Sequence, residues 1–198
     1  EVPVEQVAEY AAEDADVTWQ LRDVFAPKLQ ADGLEKLFRE VETPLVPVLA
    51  DIEHAGVRVD VAALRELSQT LEGDLRGLEE RIHQMAGQSF NISSPKQLGD
   101  ILFDKLKLDP DAKRTKTGQY ATGEDVLSRI EDRHEIIRNI LDFRELQKLK
   151  STYIDALPAL IHPTDGRIHT SFNQAVTSTG RLSSTNPNLQ NIPIRTER

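Results

Sequence analysis

Apolar residues recur every three or four positions along most of this 198-residue chain, and the pattern breaks at glycines and prolines. Residues 4–30 read as one helix, with Val7, Tyr10, Ala11, Val17 and Leu21 at helical spacing. Gly33 interrupts before a second helical stretch from Leu34 to about His54. There Pro44 and Pro47 lack the amide hydrogen that a helix interior uses, so a bend or a split is expected. "HAGVRVD" predicts a helix end at Gly56 followed by a short extended piece. The clearest element comes next. Asp60 suits an N-cap, and Leu64, Leu67, Leu71, Leu75, Leu78, Ile82 and Met85 form one apolar stripe on a long helix ending at Gly87. The stripe predicts packing against a neighbouring helix; self-association as a coiled coil is the rival expectation.

"NISSPKQL" opens another helix, with Ser94 as N-cap, Pro95 in the first turn and Gln97 completing a capping box. It should run to about Leu106. From Lys107 to Thr122 there is no periodicity, only Pro, Gly and basic residues, which predicts an exposed and mobile loop. Thr122 with Asp125 is expected to start a short helix. Ile136, Ile137, Ile140, Leu141, Leu146 and Leu149 mark a longer one that stops near Pro158. "HPTDGR" is a turn, the alternating "RIHTSFNQAV" a strand, and a second strand is expected beyond it. The fold class is therefore mainly α, with a small antiparallel β segment at the C-terminus.

Composition changes this picture little. Hydrophobic residues at 38% and charged residues at 29% belong to a globular protein, and no apolar run reaches membrane-spanning length. The absence of Cys excludes disulfides and thiolate metal sites and suits a cytoplasmic protein. A start without Met and an end at "IRTER" read as those of a fragment.

The net charge of −9 argues against a polyanion partner until its distribution is examined. Residues 1–60 hold 14 acids and 5 bases, so the remaining residues balance at 19 of each. Bases then cluster. Lys105, Lys107, Lys113, Arg114 and Lys116 face only Asp109 and Asp111 between positions 105 and 120, and residues 143–196 hold six bases and three acids. Local patches of this kind decide whether nucleic acid can dock, although a solvated surface loop would look the same.

The stretch "TSTGRLSSTNPNLQNIP", Thr177 to Pro193, holds three Asn, one Gln and six Ser or Thr around the single charge of Arg181. Base pairs of every sequence present acceptors at similar minor-groove positions, so guanidinium and amide donors there sense pairing without reading sequence. Thr177, Asn188, Gln190 and Asn191 could supply the neutral groups. The same residue types also build ordinary turns.

This stretch strongly resembles the one just before the first polymerase motif of family A DNA polymerases, the bacterial DNA polymerase I group. "ELQKLKSTYIDALP" resembles that family's thumb-to-palm segment, and "YAAEDADVT" its last exonuclease motif. Together, in this order, they extend the likeness over essentially the whole chain. The resemblance implies a fragment of a multidomain α/β polymerase. Residues 1–33 would be the C-terminal helix of a 3′–5′ exonuclease-like domain, and 34–57 a connecting helix at the palm base. Residues 58–160 would be a helical thumb, and 161–198 the first palm strands.

By matching position, the resemblance implies that Arg181 contacts the minor groove at the primer end, with Thr177, Asn188, Gln190 and Asn191 beside it. Arg144 and Lys148, one helical turn apart and so on one face, resemble thumb residues that hold the duplex. Asn91, Ser94 and Lys96 surround a helix N-terminus that would meet phosphate. The loop with Lys113, Arg114 and Lys116 resembles the thumb tip. Tyr10 and Asp14 fit a Y-x-x-x-D exonuclease remnant. Asp14 could bind metal in an intact exonuclease site, but alone it is a poor magnesium ligand, and in this chain a structural or solvated role is the expectation.

The parent enzyme implied is a DNA-directed DNA polymerase of replication and repair, using dNTPs and Mg2+. This chain would grip the primer–template but lack the catalytic carboxylates, so by itself it is expected to be inactive and to bind no metal. dNTPs would engage only the missing palm and fingers, and a second chain carrying the rest is a candidate partner. A non-catalytic helical interaction module, pairing through Leu64–Met85, is the alternative.

Overall fold

The computed structural model describes residues 2–192. The end of the expected palm region, residues 193–198, lies outside them. The chain is mostly helical, with one two-stranded antiparallel sheet. It forms two compact units. One comprises the chain up to Gly56 together with His169–Asn188; the other comprises Val57–Ile168 and the residues from Leu189 onward.

In the first unit, helix α1 spans Val4–Ala31 and ends near Gly33, whose φ of 70° suits glycine. The second helical stretch does not split at its prolines. It runs through α2 (Glu35–Leu37), a π-helical turn (Phe38–Glu42) and α3 (Thr43–Ala55). Pro44 and Pro47 have no N–H to give to the carbonyls four residues earlier. The wider turn sits just before Pro44, with the Thr43 amide reaching back to the Phe38 carbonyl, while Pro47 lies inside α3. Helix α3 stops at Gly56, as expected.

Strand β1 (Ser171–Asn173) pairs antiparallel with β2 (Ser183–Thr185), Phe172 opposite Ser184. The expected strand is therefore much shorter than its alternating sequence suggested. Glu53 of α3 holds it. The Glu53 carboxylate accepts from the Phe172 amide, and the His169 ring donates to the Glu53 carbonyl over 2.7 Å. Under the hairpin, Thr170 and Ser184 hydroxyls meet at 2.6 Å in a buried pair.

The second unit is built on helix α4 (Val61–Ala86). Asp60 caps its first turn by accepting from the Ala63 amide at 3.0 Å, and Gly87 ends it at φ 66°. Helix α5 (Pro95–Gly99) continues as a π-helical segment (Asp100–Lys105). Helix α6 (Glu124–Leu127) is short, and α7 (Glu135–Leu149) extends through a second π segment (Lys150–Ile154).

Leu78, Ile82 and Ala86 of α4 meet Ile136, Ile137, Ile140 and Phe143 of α7 in one core, with Leu98, Leu102 and Leu127 closing it. Each buried Leu, Ile or Phe side chain contributes about 1.5–3 kcal/mol by leaving water. The α4 stripe is thus used inside the unit, which removes the basis for a coiled coil or a partner-pairing face. Leu67 is the exception, being exposed.

Two capping expectations need correction. Gly123, not Thr122, is the N-cap of helix α6. Thr122 is buried and its carbonyl is taken by Arg144. At α5, Ser94 accepts from the Gln97 amide at 3.5 Å, but the Gln97 side chain passes the cap and binds the Asn91 amide at 2.8 Å. The box closes three residues further upstream because Ser94 gives its own amide to the Asn91 carbonyl.

Candidate nucleic-acid interface

On the second unit, three separate segments converge on one groove of about 820 Å³. The α5 start supplies Ser93 and Pro95, the basic loop supplies Thr115 and Thr117, and α7 with its extension supplies Arg144, Lys148, Ser151 and Thr152. Asp125 is the only acid in the lining. Two cations and six Ser or Thr residues in the lining suit a polyanion backbone, because cations supply affinity and hydroxyls supply hydrogen bonds without sequence preference. The hydroxyl contributors were missed from sequence. Ser151 and Thr152 lie three and four residues beyond Lys148, a helical spacing that could have flagged them.

Arg144 and Lys148 share this groove but differ in exposure. Lys148 is exposed, whereas Arg144 is half-buried and donates to the Thr122 carbonyl. Partial burial lowers the Arg144 guanidinium from its ordinary value, without removing its charge near neutral pH. Lys150 points elsewhere, pairing with Asp155 at 2.7 Å.

The other flagged groups of this unit are distributed around the groove. Ser94 is half-buried and engaged as a cap, Asn91 accepts from the Ser93 amide at 2.9 Å, and Lys96 is exposed outside the lining. Lys113, Arg114 and Lys116 are exposed on the loop beside it. Gln190 and Asn191 are exposed, and the Asn191 carbonyl accepts from Tyr153.

On the first unit, the part of the polar stretch up to Asn188 forms the hairpin connection and its continuation. Gly180 has φ 72° with open space around it, so glycine serves backbone angle there and not close approach. Arg181 follows, exposed and without an acidic partner among the described residues. Thr177 donates its hydroxyl to the Arg181 carbonyl, bracing the turn that presents the guanidinium. Asn188 is exposed on the same unit.

Tyr10 and Asp14 are both exposed on α1. The described residues include no group of three His, Cys, Asp or Glu able to hold a metal. His162 sits in the turn near Asp165, and no described helix is long and apolar enough to cross a membrane.

These features define a mainly helical protein with a small antiparallel sheet, whose two units each present uncharged donors beside arginine or lysine. The chain belongs to DNA polymerase family A, whose sequence model matches residues 61–198. It is 49% identical over 191 residues to DNA polymerase I of Geobacillus stearothermophilus, a match covering 96% of this chain and 22% of the relative. It is 50% identical over 201 residues to DNA polymerase I of Chloroflexus aurantiacus, covering 100% and 21%. With the thermostable DNA polymerase I of Thermus thermophilus it shares 54% identity over 160 residues, 81% of this chain and 19% of the relative. The chain thus spans about a fifth of the length of these relatives. Among solved structures it matches the POL domain of Pol1 from M. smegmatis in complex with a DNA primer-template and dNTP. That match has a TM-score of 0.79 and 41% identity, covering 90% of this chain and 31% of the other.

Proposed function

We propose that this chain is the part of a DNA-directed DNA polymerase that grips the duplex primer–template and aligns the primer end. The observation that carries the reading is the groove holding Arg144 and Lys148 among hydroxyls, in a chain similar to one solved with a DNA primer-template and dNTP. Phosphates lie along the groove for sequence-independent affinity. Arg181, with Thr177, Asn188, Gln190 and Asn191, meets minor-groove acceptors at the newest base pairs. The division follows the same reading: an exonuclease-like helix over 1–33, a connector over 34–57, the thumb over 58–160 and the first palm strands over 161–198.

Nucleotide transfer belongs to the parent enzyme, in which Mg2+ and the dNTP are held by carboxylates and cations outside this chain. Tyr10 and Asp14 are the remnant of its exonuclease motif. The residues described do not fit Mg2+, since Asp14 has no converging acids around it. The contribution proposed for this chain is positioning.

Anisotropy titrations of a labelled DNA duplex at several salt concentrations test this. Binding should weaken linearly in log–log form, and Lys148→Gln should reduce the slope by about one. No salt-dependent binding, or an unchanged slope in the variant, rejects the reading.

A further inference from the structure

The basic loop is organised. Its arms are bridged at Arg114 and Tyr120, the Thr115 amide donates to the Gln119 carbonyl at 2.7 Å, and the Ala121 amide donates to Lys113 at 2.9 Å. Gly118, at φ 81°, turns the tip. Tyr120 fastens this hairpin to the π segment after α5. Its hydroxyl donates to Asp104 at 2.6 Å, and its ring packs 4.9 Å from the buried Phe103. The hydrogen bond to Asp104 raises the phenol above its ordinary range.

Arg114 closes the assembly from outside. Its guanidinium carbon lies 3.8 Å from the centre of the Tyr120 ring, and one terminal nitrogen donates to the Gly118 carbonyl at 2.9 Å. A guanidinium stacked on a ring and tied to its own turn is committed to the protein. Lys113 and Lys116 on the same loop are exposed, and no ion pair holds either of them among the described residues. The Thr115 and Thr117 hydroxyls sit 2.9 Å apart, and both line the groove with Arg144 and Lys148.

We infer that Arg114 is a positioning residue: by clamping Tyr120 and Gly118 it holds Thr115, Thr117 and Lys116 in place for a phosphate backbone, and it makes no phosphate contact itself. The inference rests on the groove being a duplex-DNA surface. It divides three basic residues that look equivalent in sequence into a structural clamp and DNA-facing charges.

The test uses the 198-residue chain with Arg114→Lys, Arg114→Gln, Tyr120→Leu, Tyr120→Phe, Lys116→Gln and the Arg114→Gln/Tyr120→Leu double variant. Arg114→Lys and Arg114→Gln should weaken duplex binding alike, about two- to fivefold, which is the scale of an exposed cation–π contact. Both should leave the salt slope unchanged. Tyr120→Leu should lose at least as much, the double variant should add nothing to Tyr120→Leu, and Tyr120→Phe, which keeps the ring under Arg114 and loses only the Asp104 bond, should lose less affinity than Tyr120→Leu. Lys116→Gln should lower the slope by about one.

Arg114→Lys at full affinity, with Arg114→Gln losing about one from the slope, would make Arg114 a phosphate contact and overturn the inference. NMR supplies a readout independent of DNA: an upfield ring-current shift of the Arg114 side chain, and slow exchange of the Thr115 amide that accelerates in Arg114→Gln. If the wild-type chain binds no duplex, the proposed function fails. The clamp is then judged by these two signals, and an unchanged Thr115 exchange rate in Arg114→Gln refutes it.

Discussion

The phenol of Tyr153, on the π-helical extension of α7, donates to the main-chain carbonyl of Asn191 across 2.5 Å, joining positions 38 residues apart. It fixes the end of the polar stretch to the helix that also carries Arg144 and Lys148. Tyr153→Phe removes one hydroxyl and leaves the ring. The expected cost is about 0.5–1.5 kcal/mol in urea unfolding, with faster amide exchange over residues 189–192. Unaltered exchange there would show that the contact does not restrain the segment.

Arg181 is exposed, so Arg181→Ala should change stability by no more than about 0.5 kcal/mol. Placed in the full-length polymerase, the same change is expected to slow primer extension more than it weakens duplex binding, since the proposed role of Arg181 is to align the primer end. Single-turnover extension and equilibrium binding measured side by side decide this. Equal losses would assign Arg181 to affinity alone.

Two glycines in helices of the second unit should respond to alanine with opposite signs. At Gly73 in α4 an added Cβ meets nothing within 4 Å. Gly73→Ala should therefore stabilise by about 0.5–1 kcal/mol through helix propensity. At Gly99 in α5 the Cβ would fall 2.8 Å from the Tyr120 Cβ, and the packed ring cannot swing aside. Gly99→Ala should destabilise by about 1–3 kcal/mol and loosen the basic hairpin. Thermal unfolding of both variants checks the pair.

Asp155 is held below the usual carboxylate value, first by its hydrogen bond from Lys150 and then by one from Ser68 on α4. A depressed folded value means the stabilisation is complete above the ordinary Asp pKa of about 3.9. It disappears as pH falls through the lower folded value. The Tm gap between wild type and Asp155→Asn should accordingly be full at neutral pH and shrink in acid below about pH 4. A gap that stays constant through that range would show that the carboxylate charge is not what matters.

Helix α4 was legible because its signals are local. The stripe, the Asp60 cap and the Gly87 stop all act within a few turns of one another. Ser94 and Gly56 were legible for the same reason. Thr122 misled because its capping signature is local while its burial and its bond to Arg144 come from 22 residues away. The Gln97 side chain misled by a shorter reach, to Asn91. In the site, Arg144 with Lys148 could be paired by helical spacing. The Arg114–Tyr120 stack could not, because a turn with no periodicity gives no rule for which side chains meet.

Taken alone, the amino-acid order determined the long helices, the ends marked by Gly33, Gly56, Asp60 and Gly87, the polar run around Arg181 and the family likeness, since each depends on neighbours along the chain. The folded chain decided that Ser93, Thr115, Lys148 and Thr152 share one groove, and that Arg114 turns to Tyr120 while Lys116 stays in solvent. Those outcomes follow from how α4 and α7 pack and from which donors find acceptors across space, and spacing in one dimension carries no record of that.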